Sequence, residues 1–141
     1  MIDKETEKKF LEAEKYRTNR EFEKAIDIFN EILEQFPKLP PALHNLAICY
    51  TELKKIEEAE KCYIKCLEIK PVSILSVNNL GKLYYNTGQF KNALPILEKS
   101  LLMKEDQETL LMLFNQMHCC FLLKYLWQIQ RKITLWLNII S

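Results

Sequence analysis

Glycine is almost missing from this chain, with two copies in 141 residues. A Gly-rich phosphate loop is therefore not written here, and neither an HExxH nor a GxSxG motif occurs. Histidine is as scarce: His44 and His118 are the two copies, which leaves little for general acid or base chemistry. The five cysteines are odd in number and contain no CxxC pair, so structural disulfides are not expected. His118, Cys119 and Cys120 are adjacent, and on a helix neighbours point about 100° apart, so they do not converge on a metal. Neither catalysis, a cofactor nor a metal site is expected. The charged opening, Met1 to Lys9, lacks an apolar signal core, and the expected address is cytoplasmic.

Acidic residues are absent from 109 to 141, where three basic residues stand alone. Residues 1–108 hold the other 17 Lys plus Arg against all 19 Asp plus Glu, a balance of −2. No sustained basic cluster exists for phosphate contacts, so a nucleic-acid partner is not expected. Charges such as Glu5 and Lys9, Lys8 and Glu12, and Glu57 and Lys61 fall at i,i+4 spacing, which suits solvated helix faces.

What the chain does have is a period. Tyr16, Tyr50 and Tyr84 stand 34 residues apart, as do Ala25, Ala59 and Ala93. Ala13, Ala47 and Gly81 share the same offset, followed by Phe29, Tyr63 and Leu97, and by Pro37 with Pro71. Each unit holds two stretches of helical apolar spacing, such as Leu43, Leu46, Ala47 and Tyr50, then Ile56, Ala59, Tyr63 and Cys66. Short joints at 52–55 and 86–89 require the two helices to run antiparallel. Small residues let the helices approach, and the aromatic residues fill the remaining space. Pro37 and Pro71 suit the end of each second helix, because proline lacks an N–H and disfavours helix at the residue before it. Cys49 and Cys66 fall on faces that should be buried, where cysteine behaves as a small hydrophobe, and Cys62 lies one turn before Cys66.

In these residues the chain resembles the tetratricopeptide repeat, whose Leu-Gly/Ala pair, Tyr, Ala-x3-Phe and Pro occupy a unit of 34 residues. The middle unit, about 40–73, carries the pattern on Leu43, Leu46, Ala47, Tyr50, Ala59, Tyr63 and Pro71. The third, 74–107, has Glu105 in place of the proline. The first, 6–39, has Lys9 and Glu12 in place of an apolar pair, as suits an outer face without a neighbour. The resemblance implies an all-α, right-handed superhelical stack of helix-turn-helix hairpins over 1–107, ending in an apolar helical segment, 108–141.

The resemblance also implies a function, protein binding as an adaptor, with an extended or helical peptide held in a groove lined by the first helix of each hairpin. Carried over by register, the lining is Phe10, Glu14 and Arg17 in the first unit and His44, Asn45, Ile48 and Glu52 in the second. In the third it is Leu75, Asn78, Asn79, Lys82 and Tyr85. The carboxylate clamp of chaperone-binding members is not reproduced: Phe10, Glu14, Leu75 and Asn79 stand where Lys, Asn, Lys and Arg belong, and only Asn45 fits. Asn45 and Asn79 look instead like the asparagine ladder in the repeat arm of peptide O-linked N-acetylglucosamine transferases, where an amide pairs with a peptide backbone; ordinary polar residues on a wet face are the alternative. The partner is expected to be a protein or peptide of unknown identity. An alternative is the N-terminal arm of a larger, truncated enzyme such as a protein glycosyltransferase or sulfotransferase.

From Leu110 the register is lost and Trp127 stands where a small alanine belongs. Asn115 and Lys124 are nine residues apart, on opposite sides of a helix, so the segment has no clean polar face. Three readings stay open for 108–141: a helix that packs on the last repeat and associates with a partner or a second copy, a membrane-associated tail, or a truncated or frame-shifted end.

Overall fold

The computed structural model describes residues 2–103 and 107–140, all in helices and short turns. Among the described residues the elements are α1 (Lys4–Thr18), α2 (Phe22–Gln35), α3 (Pro40–Glu52), α4 (Ile56–Ile69), α5 (Ile74–Asn86), α6 (Phe90–Leu102) and α7 (Gln107–Ile140). Chain contacts divide the molecule into two compact units, 1–79 and 80–141, with the boundary inside α5. Glu105, which replaces the third repeat's proline, lies outside the described residues.

In the first unit α1 packs on α2, α3 on α4, and α3 against both α1 and α2, which is the hairpin architecture implied by the period. The small positions are fully buried: Ala13, Ala25, Ala47 and Ala59 are all 0% exposed. Phe29, Ile32 and Tyr63 fill the space those alanines leave. Cys49, Cys62 and Cys66 are buried and free. Truncating a fully buried ring such as Phe29 to alanine costs about 3–5 kcal/mol, so this layer carries much of the unit's stability. Pro37 and Pro71 follow the last residues of α2 and α4 and are exposed. The i,i+4 pairing expected of Lys9 gives way to a longer reach: its ammonium pairs with Glu31 on α2, fastening the first hairpin.

In the second unit α7 packs on α6. Gly81 of α5 lies so close to α6 that a Cβ there would sit 2.8 Å from Leu97 Cδ2. Pro95 stands inside α6, at an exposed position where its missing N–H and its ring cost packing of the preceding turn rather than core contacts. No helix among the described residues is long and apolar enough to cross a membrane.

One device recurs at the end of each hairpin's first helix. Arg20, Lys54 and Gly88, again 34 residues apart, take φ of 64°, 61° and 73°. The next residue in each case donates its N–H back across the turn: Glu21 to the Tyr16 carbonyl at 2.9 Å, Lys55 to Tyr50 at 2.9 Å, and Gln89 to Tyr84 at 2.8 Å. The left-handed residues themselves donate to Arg17, Thr51 and Tyr85, each at 3.1 Å. This pair of bonds closes the last orphan carbonyls of α1, α3 and α5, and the left-handed residue permits the sharp reversal into the second helix. At the other end, the Asp3 carboxylate accepts from the Thr6 N–H at 2.7 Å and caps α1, and that bond holds Asp3 below the usual carboxylate value.

Candidate interaction face

The expected lining residues of the first unit come together across α1, α3 and the start of α5, but several are engaged with one another. Asn45 is 7% exposed and donates from Nδ2 to Glu14 Oε1 at 3.2 Å, joining α3 to α1. Its repeat equivalent Leu11 is 59% exposed. The other ladder residue, Asn79, is half-buried and hydrogen-bonded to the Tyr63 phenol, which is also bonded to Thr51. Burial pushes that phenol up to about 12. Both asparagines thus tie neighbouring helices, and each presents only the remainder of its amide.

Phe10 and His44 occupy the same register and do the same thing. The Phe10 ring meets Phe29 edge-on at 5.7 Å, and the His44 ring meets Tyr63 at 5.9 Å. Both are half-buried wedges between the two helices of their own hairpin. His44 Nδ1 also lies 2.9 Å from Ser76 Oγ on α5, and Ser76 contacts Cys66 Sγ at 3.2 Å. A serine beside a histidine invites a nucleophilic reading, but Ser76 is 0% exposed and no substrate carbonyl can reach it. The contact joins α3, α4 and α5.

Burial, and after it the Arg17 charge, hold His44 below the usual imidazole value, so it is neutral at pH 7. Arg17 itself is the unsettled group. It is half-buried, its Nε is buried without a hydrogen-bond partner, and its charge reaches both His44 and Cys49. Burial pushes the Cys49 and Cys62 thiols up to about 11, so they stay protonated and inert. Ile48 and Asn78 are half-buried and Glu52 is exposed.

In the second unit Lys82 is exposed and Tyr85 half-buried, its ring edge-on to Phe90 at 5.8 Å. Of the clamp positions, Leu75 is 66% exposed and offers no cation, while Glu14 places a carboxylate beside Asn45. A partner's terminal carboxylate would meet a like charge there. The residues that sequence reasoning did not single out are Ser76, Thr51 and Tyr63 as polar ties. The available signal was the register itself, since Thr51 sits one repeat beyond Arg17 and one before Tyr85.

Two family profiles described as tetratricopeptide repeat match residues 40–71 and 74–106. The chain is 30% identical over 101 residues to the Hsp70-Hsp90 organizing protein 2 of Arabidopsis thaliana, a match covering 70% of this chain and 17% of that protein. Among solved structures it resembles the first repeat domain of Spaghetti bound to the HSP90 peptide SRMEEVD, with a TM-score of 0.76 at 17% identity, covering 88% of this chain and 97% of that one. It also resembles the type III secretion chaperone SycD of Yersinia enterocolitica in complex with a peptide of the translocator YopD. There the TM-score is 0.80 at 12% identity, covering 87% of this chain and 97% of that one.

Proposed function

This chain belongs to the tetratricopeptide-repeat family, and from that premise we propose that it is a protein-interaction adaptor that holds an extended or helical peptide against the first helices of its hairpins. Two of the similar structures carry a bound peptide, and the chain spans about a sixth of the curated relative it matches, so a module within a larger adaptor fits as well as a lone one. The reading favours the adaptor over the arm of a truncated enzyme, because the similar proteins are named as an organizing protein and as chaperone and peptide-binding domains. The repeats over 1–107 do the binding in this proposal, with α7 packed on α6. Its setting is cytoplasmic, where the free thiols of Cys49, Cys62 and Cys66 would stay reduced.

The carrying observation is Arg17. A half-buried guanidinium has already given up part of its solvation, so a charge-assisted bond from its terminal nitrogens to an arriving acceptor costs less to form than one from a fully hydrated arginine. Around it, Phe10, His44 and Ile48 give apolar edges, while Glu14, Asn45, Asn78 and Asn79 give polar ones. In the second unit Lys82 and Tyr85 occupy the corresponding register positions of α5. A peptide carbonyl or an internal acidic side chain is the chemistry that a half-buried guanidinium recognises. The test is a panel of labelled extended peptides whose central residue is Asp, Asn or Ala, read by fluorescence anisotropy. Arg17→Ala should weaken the Asp peptides by about tenfold, the size of one charge-assisted bond, with helicity unchanged. The pair Asn45→Ala and Asn79→Ala should weaken all three peptides. Binding that ignores both sets of substitutions removes this face from consideration.

A further inference from the structure

The second half of α7 carries a run of exposed apolar side chains. Its residues from Leu126 to Ile140 are exposed throughout, as are Cys119 and Leu122. Within that stretch Cys119, Leu122, Leu126, Ile129, Ile133, Trp136 and Ile140 follow one another at steps of three and four residues without a break. From Leu122 onward these stripe residues are 39–62% exposed. A 34-residue repeat does not by itself produce such a pattern. A strict period of 3.5 residues over three heptads is the signature of a helix that supercoils with another helix of the same period.

We propose that this stripe is a self-association seam, through which α7 zips against α7 of further copies of the chain. Three observations favour a copy over a different partner. First, α1 to α6 are 13–15 residues long and belong to the repeats, whereas α7 is 34, so among the described helices only α7 has the length and the period of a mate for itself. Second, the charges avoid the seam. Lys124 and Arg131 fall one heptad apart at the register position farthest from it, the polar Asn138 follows at the next, and Arg131 lies over the Trp127 ring at 5.6 Å. With no acidic residue beyond Glu108 and only Lys132 flanking the stripe, no charge code selects a distinct partner. Third, Leu137 and Ile139 flank the seam and broaden it, and Leu126 precedes Ile129 in the order that favours bundles of more than two helices. The seam is read by apolar packing alone, which an identical helix matches layer for layer. This inference stands apart from the peptide-binding proposal, since it uses neither Arg17 nor the faces of α1 and α3.

The test is sedimentation equilibrium of the full chain in reducing buffer, so that a Cys119 disulfide cannot link copies, with circular dichroism in parallel. The expected result is a defined multiple of the monomer mass. Leu126→Lys with Ile133→Lys should return the monomer while the repeats keep their helicity, and Gln128→Lys, off the seam, should leave the multiple intact. A monomer at all concentrations overturns the proposal, and so does an assembly that survives the double substitution. A chain that is monomeric alone yet pellets with phosphatidylcholine and phosphatidylglycerol vesicles overturns it too, in favour of a lipid surface. Since the double variant spares the repeats, a loss of peptide binding in it would point to misfolding, and unchanged peptide binding leaves this test to the mass alone.

Discussion

The left-handed residues that end α1, α3 and α5 make a prediction whose size follows from the backbone. Lys54 holds φ at 61° with its side chain exposed, and the turn needs only its N–H, which reaches Thr51 at 3.1 Å. A left-handed conformation costs a residue with a Cβ about 1–2 kcal/mol, because Cβ crowds the following carbonyl. Glycine removes that cost but adds freedom to the unfolded chain, returning about 0.4–1 kcal/mol of the gain. Lys54→Gly should therefore stabilise the protein by about 0.5–1 kcal/mol, or about 2–3 °C in thermal midpoint for a chain of this size. Gly88 shows that the site accepts glycine, since it sits at the same register with φ of 73°. Lys54→Ala is the control, because alanine keeps the Cβ and gains nothing. The assay is thermal unfolding followed by far-ultraviolet circular dichroism, repeated in urea. A glycine variant that melts at or below the parent, or an alanine variant that gains as much, refutes the steric account. Arg20→Gly should gain less, because it also gives up the pair with Glu52 at 3.6 Å and the stacking over Phe22 at 5.5 Å.

Further outcomes follow from the same structure. Pro95→Ala should stabilise α6 by up to about 3 kcal/mol, since it restores an N–H and removes a ring clash at an exposed position; an unchanged urea midpoint would show that α6 contributes nothing to global stability. Gly81→Ala should cost about 1 kcal/mol, the overpacking against Leu97 exceeding the gain in helix propensity, and a stabilised variant would mean that Leu97 has room to move. His44 has its folded value below its ordinary 6.5, so the unfolded chain takes up a proton that the folded chain resists, and stability should fall as pH drops from about 6.5; His44→Gln should flatten that slope in melts between pH 7.5 and 5.5. Because Phe10, Leu75 and Asn79 replace the clamp's cations and Glu14 its asparagine, any affinity for SRMEEVD should change by less than about twofold when its C-terminus is amidated, and a tenfold loss by anisotropy would restore a clamp.

The period made the buried layer legible in advance, because the positions where two helices must touch admit few residue types. Ala13, Ala47, Ala25 and Ala59 are small for the same steric reason, and each is fully buried. The left-handed turn recurs with equal regularity yet was hidden, since Arg20 and Lys54 occupy it at a modest cost that sequence does not advertise; only Gly88 carried the usual sign. Pro95 was hidden for the opposite reason: proline argues against a helix, and here the packing of α6 overrides it.

The face was readable as a set of positions and unreadable as a set of bonds. Register placed Glu14, Asn45 and Asn79 along the first helices, but whether an amide faces a ligand or a neighbouring helix depends on what the previous hairpin offers it. Glu14 meets Asn45, and Tyr63 meets Asn79, so two groups suited to a peptide backbone also hold the hairpins together. The Arg17 Nε meets no such partner. The same repeat that lets one hairpin satisfy the next leaves the Arg17 Nε of the first unit buried without a hydrogen bond, and under the proposed function this guanidinium, more than the amides already tied between helices, is the group a peptide would meet.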